Sequence, residues 1–306
     1  IIDLMAARRP EESPWRALEF FPPRTTSGVA NLKARMPRMQ AEAKPLYADI
    51  TWGAGGTTSD ATMDIAIAMH KEFGIVTNMH LTCTNIEAEK VTAALRQAKA
   101  AGIRNIVALR GDAPEGQEKW ESTEGGFGCA ADLVAYIRKE FSDYFCVSVA
   151  GYPEGHPDKI KAVAGGVAAL SAGELTRYST QTAADGTETV FVCSDADFAQ
   201  EMAFLKAKVD AGVDFIITQM FFDTEVYGTF VAACREVGIS VPIVPGIMCL
   251  NSAGGFEKMA AFCKTRVPAE LRARMSAVKE SAEATKKYGI EFGAAMSRRL
   301  LELGAP

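Results

Sequence analysis

The sequence predicts an α/β fold of the (β/α)8 TIM-barrel type, on three observations. Short apolar runs recur seven times in 306 residues, amphipathic stretches separate them, and glycines stand where those stretches end. Alternation of strand and helix signals means a parallel sheet with crossover helices. Seven such units, with no Pro/Ser-rich linker or shift in composition, favour one barrel over two dinucleotide-type domains. The expected barrel lacks its last strand in this chain.

The first strand is "ALEFF" at 17–21, stopped by Pro22 and Pro23, which cannot donate to a sheet ladder. The following strands are 46–52 "LYADITW", 75–81 "IVTNMHL", 105–109 "NIVAL", 144–150 "YFCVSVA", 214–220 "DFIITQM" and 241–247 "VPIVPGI". Helices are expected over 86–101, closed by Gly102, over 223–237, closed by Gly238, and over 289–303. Residues 1–16 read as an N-terminal extension and 17–306 as the barrel. Its rhythm breaks at 158–194, an inserted segment whose Thr, Tyr and Val residues around Asp185-Gly186 predict a β-hairpin.

Composition narrows the function. Apolar residues make up 48% and charged residues 23%, and no apolar run approaches the roughly 18 residues of a membrane span. A formal charge of −5 without a basic block gives no footprint for nucleic acid, so small molecules are the expected ligands. The start, "IIDLMAARRPEESP", lacks the long apolar stretch of a signal peptide, which predicts a cytoplasmic protein. Seven cysteines without a C-x-x-C pair argue against a disulfide framework and a structural zinc site. The three histidines (70, 80, 156) show no H-x-H or H-E-x-x-H spacing, so no metal is expected. G-x-S-x-G is absent, and "GAGGTT" at 53–58 places Thr58 where a dinucleotide fingerprint needs its last glycine.

In a (β/α)8 barrel the working residues sit at the C-terminal ends of the strands. The polar residues there are Glu19, Thr51, His80, Thr82, Arg110-Gly111-Asp112, Tyr152, His156 and Gln219. Glu19 stands in an apolar run, where a buried charge needs a partner or a chemical task. It reads equally as half of an ion pair with Arg24. His80 alone reads as a core histidine, and "LRGD" at 109–112 as a turn with a salt bridge. Gln219 offers an amide that wants partners, which a planar heterocycle would supply. Two carboxylates, an arginine, a histidine and a glutamine suit proton donation and stabilisation of a cation beside a redox cofactor.

"LEFFPPRT" at 18–25, "ADITWGAGG" at 48–56, "HLTC" at 80–83, "ALRGD" at 108–112, "VAGYPEGHP" at 149–157, "KVDAGVDFIITQMFFD" at 208–223 and "VPGI" at 244–247 together resemble the methylenetetrahydrofolate reductase family. "EGGF" at 124–127 resembles its eukaryotic members. The resemblance implies an FAD-containing barrel that reduces 5,10-methylenetetrahydrofolate to 5-methyltetrahydrofolate with NAD(P)H as co-substrate, in ping-pong order. It implies Glu19 as proton donor and Asp112 as the aspartate near flavin and folate. Thr51, Trp52, Ala54, His80, Arg110, Gly111, Ala130, Tyr152, His156 and Lys208 fall at flavin positions. Glu201 stands where relatives commonly carry an aspartate for the FAD ribose, and Cys129 where they carry a tyrosine. Gln219 matches the glutamine that meets folate and nicotinamide in turn, and Thr51 lies where the nicotinamide approaches. The family's last strand would follow Pro306, a homo-oligomer is possible, and full-length eukaryotic relatives add a regulatory domain. Two alternatives stand beside this: another flavin barrel of the proline-dehydrogenase kind, and a non-catalytic flavin- or folate-binding barrel.

Overall fold

The computed structural model describes the chain except for residues 10, 11, 13, 54–58, 84–85, 112–125 and 184. Two compact units divide it: Ile1–Ala150 with Lys208–Phe215, and Gly151–Ala207 with Ile216–Pro306.

In chain order the first unit carries α1 (Ile2–Ala6), β1 (Ala17–Phe20), α2 (Thr26–Ala43), β2 (Tyr47–Ile50), α3 (Ser59–Lys71), β3 (Thr77–Thr82), α4 (Ala88–Ala101), β4 (Asn105–Leu109), α5 (Ala130–Phe141) and β5 (Cys146–Gly151). Each strand pairs in parallel with the next. Local chemistry sets the helix ends. Thr25 caps α2 by accepting from the Gly28 amide at 3.1 Å, and α4 stops at Gly102, whose φ of 89° suits glycine. Helix α3 packs on β2 and β3, and α5 on β4. Burying Ile65 and Met69 of α3 fully contributes roughly 1.5–3 kcal/mol each. Strand β2 is buried along its whole length and β3 nearly so, as expected of a parallel sheet covered on both faces. Polar residues inside such strands must find partners within the protein.

The second unit carries a 3-10 turn at Pro157–Lys159, followed by β6 (Ile160–Ala162), β7 (Ser179–Thr182) and β8 (Glu188–Cys193), an antiparallel sheet in the order β6-β8-β7. The predicted hairpin is the β7–β8 pair, with Asp185 Oδ1 accepting from the Thr187 amide at 2.9 Å. Then come α6 (Asp195–Asp210), β9 (Phe215–Met220), α7 (Thr224–Glu236), β10 (Ile243–Gly246), α8 (Ala253–Cys263), α9 (Ala269–Val278) and α10 (Ala282–Glu302). Strands β9 and β10 pair in parallel. Met220, Phe222, Leu250, Phe256, Cys263, Leu271 and Met275 form the core beneath α8 and α9.

The seven expected strands are all present, each beginning within about two residues of its predicted start. Their alternation with helices is that of a (β/α)8 fold with seven of its eight strands. Helix α10 begins at Ala282 rather than 289, because Ser281 caps it by accepting from the Ala284 amide at 3.2 Å.

Candidate active site

Strand register assembles the site. Glu19 of β1 is paired with Asp49 of β2, and Asp49 with Asn78 of β3, so three polar side chains stand side by side across three strands. His80, two residues beyond Asn78, returns to the same face by the period-two alternation of a strand. Asn78 Nδ2 donates to Asp49 Oδ1 at 2.8 Å, and His80 Nε2 lies 3.4 Å from that same oxygen. The His80 contact is ion-pair distance without hydrogen-bond alignment, and Nε2 is among the buried polar atoms that lack a hydrogen-bond partner. Ligand atoms of Glu19, Asp49 and His80 all lie within 4.8 Å of one another.

Glu19 departs from the expectation of a buried carboxylate. The residue is exposed, because among the described residues β1 ends the row of strands and pairs only with β2. Its carboxyl end nevertheless sits among Asp49, at 3% exposure, and the largely covered His80. The protein packed around that carboxyl raises its pKa above the ordinary 4.5; Asp49 adds to the rise and His80 opposes it. Burial likewise raises Asp49, against the close approach and charge of His80 and the hydrogen bond from Asn78. Burial alone would lower His80, but Asp49 and Glu19 overcome it and raise the imidazole above 6.5. Each carboxyl therefore holds its proton more tightly than a free acid does, which favours proton handling over cation binding.

Thr51 and Trp52 follow β2. Thr51 donates its amide to the Phe20 carbonyl at 2.9 Å and receives the Thr62 hydroxyl at 3.0 Å. The buried Trp52 Nε1 and Thr82 Oγ1 have no hydrogen-bond partner in the structure. Arg110 and Gly111 follow β4, and Gly111 adopts φ 94°, a left-handed conformation that leaves the turn free of a side chain. Ala130 opens α5 behind its N-cap Cys129. Lys208 donates to the Ala150 carbonyl at 2.8 Å.

In the second unit the Tyr152 and His156 rings meet edge to face, 4.7 Å between centroids. Gly155 between them has φ 96°, and a Cβ there would lie 2.5 Å from Cys193 Cβ. Glu201 is half-buried on α6. Gln219 Oε1 accepts from the neighbouring Met220 amide at 2.9 Å, so part of its amide is already satisfied. Ala54 and Asp112 lie outside the described residues.

Sequence reasoning missed Asp49 and Asn78. The signal was present: Asp49 in "LYADITW" is a carboxylate in an apolar run, the same anomaly that singled out Glu19, and Asn78 in "IVTNMHL" is its amide counterpart.

Fold and site together define a parallel (β/α)8-type protein with two carboxyls and a histidine clustered toward the C-terminal halves of its first three strands. The family model described as methylenetetrahydrofolate reductase matches residues 4–306, and the chain belongs to that family. It is 46% identical to "Methylenetetrahydrofolate reductase (NADH) 1" of Zea mays, over 94% of this chain and 44% of the relative. To the 5,10-methylenetetrahydrofolate reductase of Escherichia coli it is 32% identical, over 94% of this chain and 82% of the relative. The chain thus spans less than half the length of the plant relative. A solved Clostridium thermocellum protein, described as binding two copies of 5-methyl-5,6,7,8-tetrahydrofolic acid, shares the fold with a TM-score of 0.55 and 12% identity, over 99% of this chain and 88% of that one.

Proposed function

We propose that the chain carries the catalytic barrel of a methylenetetrahydrofolate reductase, with 158–194 inserted in it. In this reading it reduces 5,10-methylenetetrahydrofolate to 5-methyltetrahydrofolate with NAD(P)H and FAD, in ping-pong order. The observation that carries the reading is the Glu19–Asp49–His80 cluster in a chain of that family. The names of the 46%-identical plant relatives favour NADH as the reductant. Cysteines held outside disulfides support a cytoplasmic setting. Among the described residues no helix is long and apolar enough to cross a membrane.

The residues fit a flavin. Trp52 Nε1 and Thr82 Oγ1 are buried polar atoms without hydrogen-bond partners, just beyond β2 and at the end of β3, and a heterocycle edged with nitrogen and oxygen would answer them. Thr51, Trp52, Ala54, His80, Arg110, Gly111, Asp112, Ala130 and Lys208 are proposed to hold FAD, together with Tyr152, His156 and Glu201. Once bound, it would accept hydride from the nicotinamide and return it to the folate methylene. Glu19, holding its proton above the usual carboxylate range, donates it to the folate nitrogen released when the five-membered ring opens. Asp112 is the carboxylate proposed to stabilise the positive charge that opening creates. Gln219 and Thr51 orient folate and nicotinamide by their side-chain polar groups.

Two measurements test this. The purified yellow protein should bleach anaerobically with NADH and regain colour with methylenetetrahydrofolate; colour without bleaching supports a non-catalytic binder. Glu19→Gln should keep FAD and its reduction but lose folate reduction by about 10²- to 10⁴-fold, the range for a general acid. Near-normal folate turnover would remove Glu19 from the mechanism.

A further inference from the structure

We propose that Asp49, steadied by Asn78, is a positioning residue that holds His80 in one tautomer and charge state beside Glu19. The inference rests on the reading of Glu19 as proton donor and extends it to residues that the family resemblance did not assign.

Four observations carry it. Asp49 is 3% exposed on a strand buried along its whole length, so its carboxylate cannot turn to water. Asn78, wholly buried, anchors Oδ1 at 2.8 Å. His80 Nε2 is shielded from solvent and has that oxygen 3.4 Å away, so a small rotation of the ring that aligns N–H with the oxygen converts proximity into a hydrogen bond. Glu19 stands in register with Asp49, its carboxyl within 4.8 Å of both partners. A buried carboxylate without a counter-charge is costly, so Asp49 and His80 ionise together or not at all. With Nε2–H committed to Asp49, the ring's other nitrogen has one defined role toward a ligand. Glu19 then faces a neutral pair, which neither strips its proton as a lone imidazolium would nor locks it in place as a lone carboxylate would.

Two further titratable groups among the described residues do not compete. Burial, with Asp49, Glu19 and Cys146, raises the Tyr47 hydroxyl well above 10, and burial pushes Cys146 up to about 11, so both stay neutral where the pair titrates.

The test is histidine NMR on the FAD-loaded protein, where three histidines allow assignment by substituting His70 and His156. His80 should titrate above 6.5 with Nε2 as its protonated nitrogen. Asp49→Asn should lower that midpoint by about one unit or more, a tenfold change in proton affinity, and mix the tautomers. The pH midpoint of the folate half-reaction should move with it. An unchanged His80 midpoint and tautomer in Asp49→Asn overturns the proposal. If Asp49→Asn does not fold, His80→Gln replaces it. A raised histidine pKa contributes stability that is full below 6.5 and lost as pH rises through the folded value, so wild type minus His80→Gln should fall across that window. A flat difference overturns the proposal. Absence of folate reduction in the wild type would sink the proton-donor reading instead, and the NMR would still decide the pair.

Discussion

Glu154 offers a quantitative test of how burial acts on a carboxyl in the second unit. It lies in "GYPEGHP", 6% exposed, and accepts from the Arg266 amide at 2.6 Å. Burial pushes it from the ordinary 4.5 up to about 8, with Asp223 adding to the rise and Arg266 opposing it. The sign is the reverse of the usual acidic case. The folded state keeps a proton that the unfolded chain sheds, so stability is full below 4.5 and declines as pH rises toward about 8. The slope across that window is about 1.4 kcal/mol per pH unit, so the loss is on the order of 3 kcal/mol by pH 7. Glu154→Gln keeps an acceptor for the Arg266 amide and removes the ionisation. Denaturant unfolding of both proteins at several pH values from 5 to 9 should show the variant gaining on the wild type by on the order of 4 kcal/mol, most of it below about pH 8. Parallel stability curves would refute the argument, because they would mean that Glu154 has the same proton affinity folded and unfolded.

Further tests address other links. Asp214 Oδ2 accepts from the Val147 amide at 2.6 Å and from Arg138 Nη2 at 2.7 Å; Asp214→Ala should cost about 2 kcal/mol in denaturant unfolding by leaving both donors unpaired, and a loss below about 0.5 would count against the pairing. Gly155 and Gly186 both have positive φ, but only at Gly155 would a Cβ meet a neighbour, Cys193. Gly155→Ala should therefore lower stability by more than about 2 kcal/mol and Gly186→Ala by about 1, and equal losses would refute the steric part of the argument. Asp112→Asn should slow folate reduction less than Glu19→Gln does, with a shifted flavin potential; an unchanged rate and potential would sink the role proposed for Asp112.

The strands were legible because buried parallel strands must be apolar and short, so each stood out between amphipathic stretches. Helix ends were legible where chemistry marks them, as at Gly102. Helix α8 was not anticipated in "MCLNSAGGFEKM", where two glycines obscure a helix that Ser252 caps by accepting from the Gly255 amide at 3.1 Å. Glu19 and His80 drew attention as polar residues near strand ends. That they share a centre with Asp49 and Asn78 was not legible, because residues 19, 49, 78 and 80 are adjacent only once register is set.

By itself the sequence determined the alternation of strand and helix, the family, and which polar residues stand near strand ends, because hydrophobic period and turn chemistry are local properties of the chain. Tertiary structure alone decided that Glu19 is open to solvent at the end of a row of strands while Asp49 is the buried carboxylate, and that both carboxyls and His80 share one electrostatic problem. Burial and proton affinity depend on what other strands bring alongside, and one residue of slip in register would send each of these side chains to the opposite face.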